Sequence, residues 1–188
     1  MKEFLIEKLG EERGPALAAK IEARFEKLLK EARPHSKQQD KVFKKNLLPR
    51  IAMYQVLREE KMDQAQIMQL LDDHMVVTGA IPMRKNYEKL DSLPGAFGLF
   101  KFGFTRVVSS SDLWDADIAK EKNAFSVTMR RCFWHDTFEE YGCPEMCQFA
   151  CRCDDITYGG LKHIDFKRTQ TLGTGGTCCD FRFTKKAD

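Results

Sequence analysis

The stretch Ala124-Phe125-Ser126-Val127-Thr128-Met129-Arg130 alternates apolar and polar side chains with a period of two. Successive side chains of an extended chain point to opposite sides, so this pattern reads as a strand with one buried face. Two later stretches repeat it. Ile164-Asp165-Phe166-Lys167-Arg168-Thr169 alternates, and Cys179-Asp180-Phe181-Arg182-Phe183 is the clearest strand in the chain. Between the strands lie a short helical segment, His135 to Tyr141, ended by Gly142, and a second one opened by Pro144 and running to about Cys153. Gly173-Thr174-Gly175-Gly176 is a turn. Strands separated by short helices and glycine turns predict a mainly antiparallel sheet.

Upstream the period changes to that of a helix. Leu17, Ile21, Leu28, Leu29 and Ala32 recur near helical spacing after Pro15, and Arg33-Pro34 ends the run. Ser36-x-x-Gln39 and Asp63-x-x-Gln66 resemble capping boxes. Pro49 either kinks the helix it falls in or begins a new one. Ile67, Leu70, Leu71 and Met75 form an amphipathic face. These stripes read as core, and His35 and His74 as isolated, solvated side chains. Leu93-Pro94-Gly95 marks a boundary. Beyond it, Phe97, Phe100, Phe102 and Phe104 with interleaved glycines suggest a strand or packed loop. The expected fold is therefore α+β. A helical region over 1–92, carrying no catalytic group, precedes a cysteine-rich α+β region over 93–188, the two packed as one compact unit.

Composition narrows the function. The 188 residues carry a net charge of only +3, with acidic and basic residues interspersed, which excludes the basic stripe of a nucleic-acid binder. No apolar run approaches the ~20 residues that span a bilayer, and the first residues lack the apolar stretch of a secretory signal. The expectation is a cytoplasmic protein acting on a small molecule, with no nucleic-acid or membrane partner. All seven cysteines lie between Cys132 and Cys179. In a reducing compartment such thiols serve burial, catalysis or metal binding rather than disulfides.

Three groups of residues can carry chemistry. Cys143-x3-Cys147-x3-Cys151-x-Cys153-Asp154 places positions 143, 147 and 151 on one side of a helix, with Asp154 one turn beyond Cys151. A thiol and a carboxylate so placed can act as nucleophile and acid/base, or as metal ligands. Cys132 stands between a strand and a helix, where a helix N-terminus lowers a thiol pKa, and His135 can serve as its base. In Gly175-Gly176-Thr177-Cys178-Cys179-Asp180, a glycine turn lets the backbone approach a ligand. Strand alternation puts Cys179, Phe181 and Phe183 on one face and Asp180 and Arg182 on the other. The turn lacks the G-K-[ST] ending and following helix of a phosphate loop.

Taken together, Cys132-Phe133-Trp134, Phe138-x-x-Tyr141-Gly142, Pro144-Glu145, Phe149-Ala150-Cys151-x-x-Asp154 and Thr171-Leu172-Gly173-x-Gly175-Gly176-x-x-Cys179-Asp180-Phe181-Arg182-Phe183 resemble the L-2-amino-thiazoline-4-carboxylic acid hydrolase family over roughly 124–183. The family's usual first motif is Cys-Pro-Tyr or similar, where this chain has Cys132-Phe133-Trp134. Cys143, Cys147, Cys153 and Cys178 fall outside its pattern. The resemblance implies ring-opening hydrolysis of a cyclic amidine to a carbamoyl thiol such as N-carbamoyl-L-cysteine. It assigns Cys132, Cys151 or Cys179 as the thiolate and Asp154 as acid/base. Arg168 or the amides of Gly175 and Gly176, with Asp180 nearby, would hold the substrate. No cofactor is implied with certainty. The alternative from another class is a non-catalytic thiol-rich protein, binding a divalent metal or cluster through Cys132, Cys151, Cys179 and Asp154, or sensing a small ligand.

Overall fold

The computed structural model describes residues 1–187. Helices come first. Helix α1 (Lys2–Glu31) breaks at Gly10, whose φ of +86° no helix tolerates, and resumes through Pro15. Then follow α2 (Lys37–Val42), α3 (Leu48–Glu59), α4 (Gln64–Met75), α5 (Ile81–Asp91) and α6 (Ala96–Ser109). The Ser36 hydroxyl accepts from the Gln39 amide, and Asp63 accepts from the Ala65 and Gln66 amides, so both expected caps form.

Helices α2 and α3 are joined without interruption by a π-helical turn, Phe43–Leu47, and α4 and α5 by another, Val76–Ala80. A proline stands just beyond each, Pro49 and Pro82, at the second position of α3 and α5. Proline has no N–H for the carbonyl four residues back and its ring crowds that carbonyl, and a widened turn relieves both. Pro49 thus stands in the first turn of α3, which continues from α2 through the widened turn.

The stretch around Phe97–Phe104, expected as strand or loop, is α6. Phe97, Phe100 and Phe104 recur at i, i+3, i+7 and pack toward the sheet, while Phe102 is left exposed.

The sheet follows: β1 (Trp114–Lys120), β2 (Ala124–Cys132), β3 (Ile164–Lys167) and β4 (Cys179–Lys185), in the order β1-β2-β4-β3, every pair antiparallel. The three strands read from alternation are present. Strand β1 was not foreseen, although Trp114, Ala116 and Ile118 on its inner face alternate with the exposed Asp115 and Asp117. Between β2 and β3 lie α7 (Phe133–Glu140), a 3-10 turn (Pro144–Met146) and α8 (Cys147–Tyr158). The Pro144 turn is a separate tight turn, so α8 begins at Cys147. Cys143 consequently stands outside α8, buried in the helical core that also takes in Cys147 and Cys151.

Two cores meet at α8. One gathers Leu5, Phe43, Leu47, Ile51, Leu57 and Leu71 with Phe138, Cys143 and Met146. The other covers the inner sheet face, where Phe183 on β4 stacks between Phe125 on β2 and Phe166 on β3, both at 4.9 Å between centroids. Burying each such ring contributes about 1.5–3 kcal/mol. Buried Asp91, at the end of α5, accepts the Lys162 and His163 amides and ties the helices to the start of β3. The two histidines expected in solvent are packed instead. His74 is buried against the Phe4 ring, and burial, then Arg50, lowers its pKa to about 4. His35 is half-buried between Phe43 and Phe133. Among the described residues, no helix is long and apolar enough to cross a membrane.

Candidate active site

A cavity of about 550 Å³ opens between the helices and the inner sheet face. Cys132, Cys151, Asp154 and Cys179 all line it, brought there from the end of β2, the middle of α8 and the start of β4. A smaller, more open groove of about 280 Å³ between α6 and Lys120 holds no cysteine.

The aim of Cys132 depends on a β-bulge. Register runs Ala116↔Met129, then Asp115↔Arg131 and Trp114↔Cys132, so Arg130 is an extra residue on β2. Arg130 and Arg131 are both exposed, breaking the alternation. Without the bulge, Met129 and Cys132 would face opposite sides of the sheet. With it, both line the cavity, beside Trp114. The helix N-terminus does not lower the Cys132 thiol as expected. Burial dominates the opposing pull of the His135 and Trp134 amides and raises it to about 11. The His135 ring turns away, 3.8 Å from Asp136 and from Glu139, and is not part of the cavity wall.

Cys151 is buried, but its sulfur is surrounded by hydrogen-bond donors. Cys147, Cys179 and Thr171 direct donors toward it and Arg168 adds a positive field, which together hold its pKa well below the ordinary thiol range. Negative charge there drives the Cys147 and Cys179 pKa values strongly upward. The turn Leu172–Thr174 roofs this sulfur group. A Cβ on Gly173 would lie 2.9 Å from the sulfurs of both Cys147 and Cys151, so only glycine lets the backbone come this close. Asp154, one turn along α8 from Cys151, is half-buried and opens on the cavity. Burial first, then the charge at Cys151, raises its carboxyl to about 8 against the opposing pull of Arg168. The surroundings thus favour the thiolate at Cys151 and the protonated carboxyl at Asp154 near neutral pH.

The other expected binding groups have different partners. Arg168 lies outside the cavity wall. It donates to the Cys151 carbonyl at 2.9 Å and to Asp155, with its other terminal nitrogen 3.8 Å from Asp154. It therefore positions α8. Asp180, on the outer face as alternation requires, accepts the Thr169 and Gln170 amides at 2.9 Å and the Thr169 hydroxyl. The Gly175 and Gly176 amides donate to the Leu172 and Thr171 carbonyls. None of these three lines the cavity.

The rest of the wall comes partly from the region expected to carry no chemistry. Asn46 and Arg50 flank Pro49 just as Gly79 and Met83 flank Pro82, and all four line the cavity. The widened turn before each proline is what turns these positions inward. Tyr87 of α5 and Tyr158 of α8 add paired rings, 5.2 Å between centroids. All seven cysteines are free thiols. Among the described residues, no group of three or more His, Cys, Asp or Glu side chains is arranged to hold a metal ion.

In comparison with known families, the chain matches the model of the L-2-amino-thiazoline-4-carboxylic acid hydrolase family over residues 39–183. The match begins at α2 and ends in β4, so it takes in both π-helical turns and the whole cavity-forming part of the chain. Among curated proteins and solved structures, no match is found.

Proposed function

The chain belongs to the L-2-amino-thiazoline-4-carboxylic acid hydrolase family, and on that premise we propose that it is a hydrolase that opens a cyclic amidine to a carbamoyl thiol, with Cys151 as nucleophile and Asp154 as acid/base. The observation that carries this reading is the pairing of the two groups on one face of α8, a thiol favoured as thiolate and a carboxyl favoured as acid, both open to one cavity.

The steps follow from those protonation states. The Cys151 thiolate adds to the ring carbon between nitrogen and sulfur. Asp154 gives its proton to the ring sulfur as the carbon–sulfur bond breaks, leaving an isothiourea on Cys151 and a free thiol on the substrate. The Asp154 carboxylate then takes a proton from water, whose oxygen adds to the same carbon. Collapse expels the Cys151 thiolate and leaves a urea, the carbamoyl group, so one water is consumed overall. The donors around Cys151 stabilise the thiolate each time it is released.

The test is to incubate the protein with 2-amino-thiazoline-4-carboxylate and follow the new thiol with a disulfide reagent. Cys151→Ser and Asp154→Asn should each lower the rate by roughly a hundredfold or more. Wild-type turnover in both variants would place the chemistry elsewhere.

A further inference from the structure

Arg50 is a buried cation without a counter-ion. It is 6% exposed and lines the cavity. One terminal nitrogen donates to the Asn46 carbonyl and the other to the Thr78 hydroxyl at 2.9 Å, while its Nε has no partner. Among the described residues no carboxylate pairs with it. A buried charge left like this is costly unless something neutralises it. The two π-helical turns hold it in place, since Asn46 belongs to the first and Thr78 to the second. Its other titratable neighbours do not supply the missing negative charge: His74 is neutral, and the Cys153 thiol is raised to about 11.

The remainder of the cavity is apolar. Leu90, Leu99, Phe100, Phe104, Val107 and Phe181 form most of one side, and Leu99 and Val107 are themselves partly open to solvent. About 550 Å³ is within the ~300–1,000 Å³ range of sites that enclose a ligand of drug-like size. A small ring acid would leave most of these apolar walls facing water.

We propose that Arg50 is the carboxylate-binding residue of this cavity, and that its ligand is a carboxylate carrying a sizeable apolar group which fills the space beneath α5 and α6. The proposal rests on the proposed active site only in taking this cavity as the substrate's. It names the substrate class: a ring amidine acid with an apolar substituent.

Binding, measured without turnover, separates this from the reaction assigned to Cys151. Decanoate, decanol and 2-amino-thiazoline-4-carboxylate are titrated calorimetrically into wild type, Arg50→Met and Arg50→Lys. Decanoate should bind wild type more tightly than either other probe. Arg50→Met should weaken decanoate by about tenfold or more, as loss of a charged hydrogen bond does, and leave decanol unchanged. Arg50→Lys should restore part of the loss. Decanol binding as tightly as decanoate to wild type, or decanoate indifferent to both substitutions, overturns the proposal. If Arg50→Met does not fold, the wild-type comparison and Arg50→Lys decide. Turnover of the small ring acid bears on the reaction alone.

Discussion

Cys151 and Asp154 stand one helical turn apart on α8 and open on the same cavity, the first held as thiolate and the second as acid. Each charge state favours the other, because the negative sulfur is one reason the carboxyl keeps its proton. The acid–base chemistry proposed for the pair would follow from this coupling more than from either residue alone.

Asp154 should make stability pH-dependent. Its carboxyl is raised to about 8 in the folded chain, against about 3.9 when unfolded. The native state therefore binds the extra proton, and the stability present below about pH 4 is lost as pH rises toward 8. Melting temperatures of wild type should fall across this window. Asp154→Asn should flatten the profile and melt higher than wild type at pH 8. Parallel profiles for the two proteins would contradict the assigned protonation state.

The same carboxyl should set the alkaline limit of turnover. If it is the acid that protonates the leaving sulfur, the rate should fall above about pH 8 as the proton is lost. A rate that keeps rising through pH 9 would assign the proton to another group.

The thiols should differ in reactivity. At pH 6.5, brief iodoacetamide treatment followed by peptide mapping should find Cys151 modified ahead of Cys132, Cys143 and Cys153, whose thiols burial raises to about 11, 12 and 11. Equal labelling of these four would remove the case for a preformed thiolate.

Gly173→Ala should be among the most damaging small substitutions. Its methyl would sit 2.9 Å from the Cys147 and Cys151 sulfurs and from the Cys147 carbonyl carbon, so backbone must move. A loss of about 1–3 kcal/mol is expected by denaturant titration, with activity falling further as the roof lifts. Gly98→Ala is the contrast. Gly98 is inside α6 with open space around it, so alanine should stabilise by about 0.5–1 kcal/mol.

How much of this was legible differs by element. Period-two alternation located β2, β3 and β4, because each has one apolar face. Grouping Cys132, Cys151, Asp154 and Cys179 in one site follows from the family resemblance, while periodicity places each only on its own strand or helix. Arg50 was not, because nothing local separates a buried arginine from a surface one. Its burial is decided by α4 and the π-helical turn after it, Val76–Ala80, packing across from α3, a contact between residues far apart in the chain. The available sign is the pair of prolines, Pro49 and Pro82, each set inside the helical region. Asp180, Gly175, Gly176 and one terminal nitrogen of Arg168 have polar chemistry suited to a ligand, but local backbone groups and Asp155 take it up. Proximity in sequence to a site does not establish that a polar group is free to serve it.

The bulge at Arg130 makes the geometry depend on a residue count as well as on residue identities. Removing Arg130 would leave every motif intact and yet send Cys132 through the sheet to its outer face, while Met129 and everything before it stayed in place. Insertions and deletions at this point of β2 are thus a different class of change from substitutions. Arg130 itself, an exposed side chain paired with the exposed Asp117, should accept nearly any replacement but not its own absence.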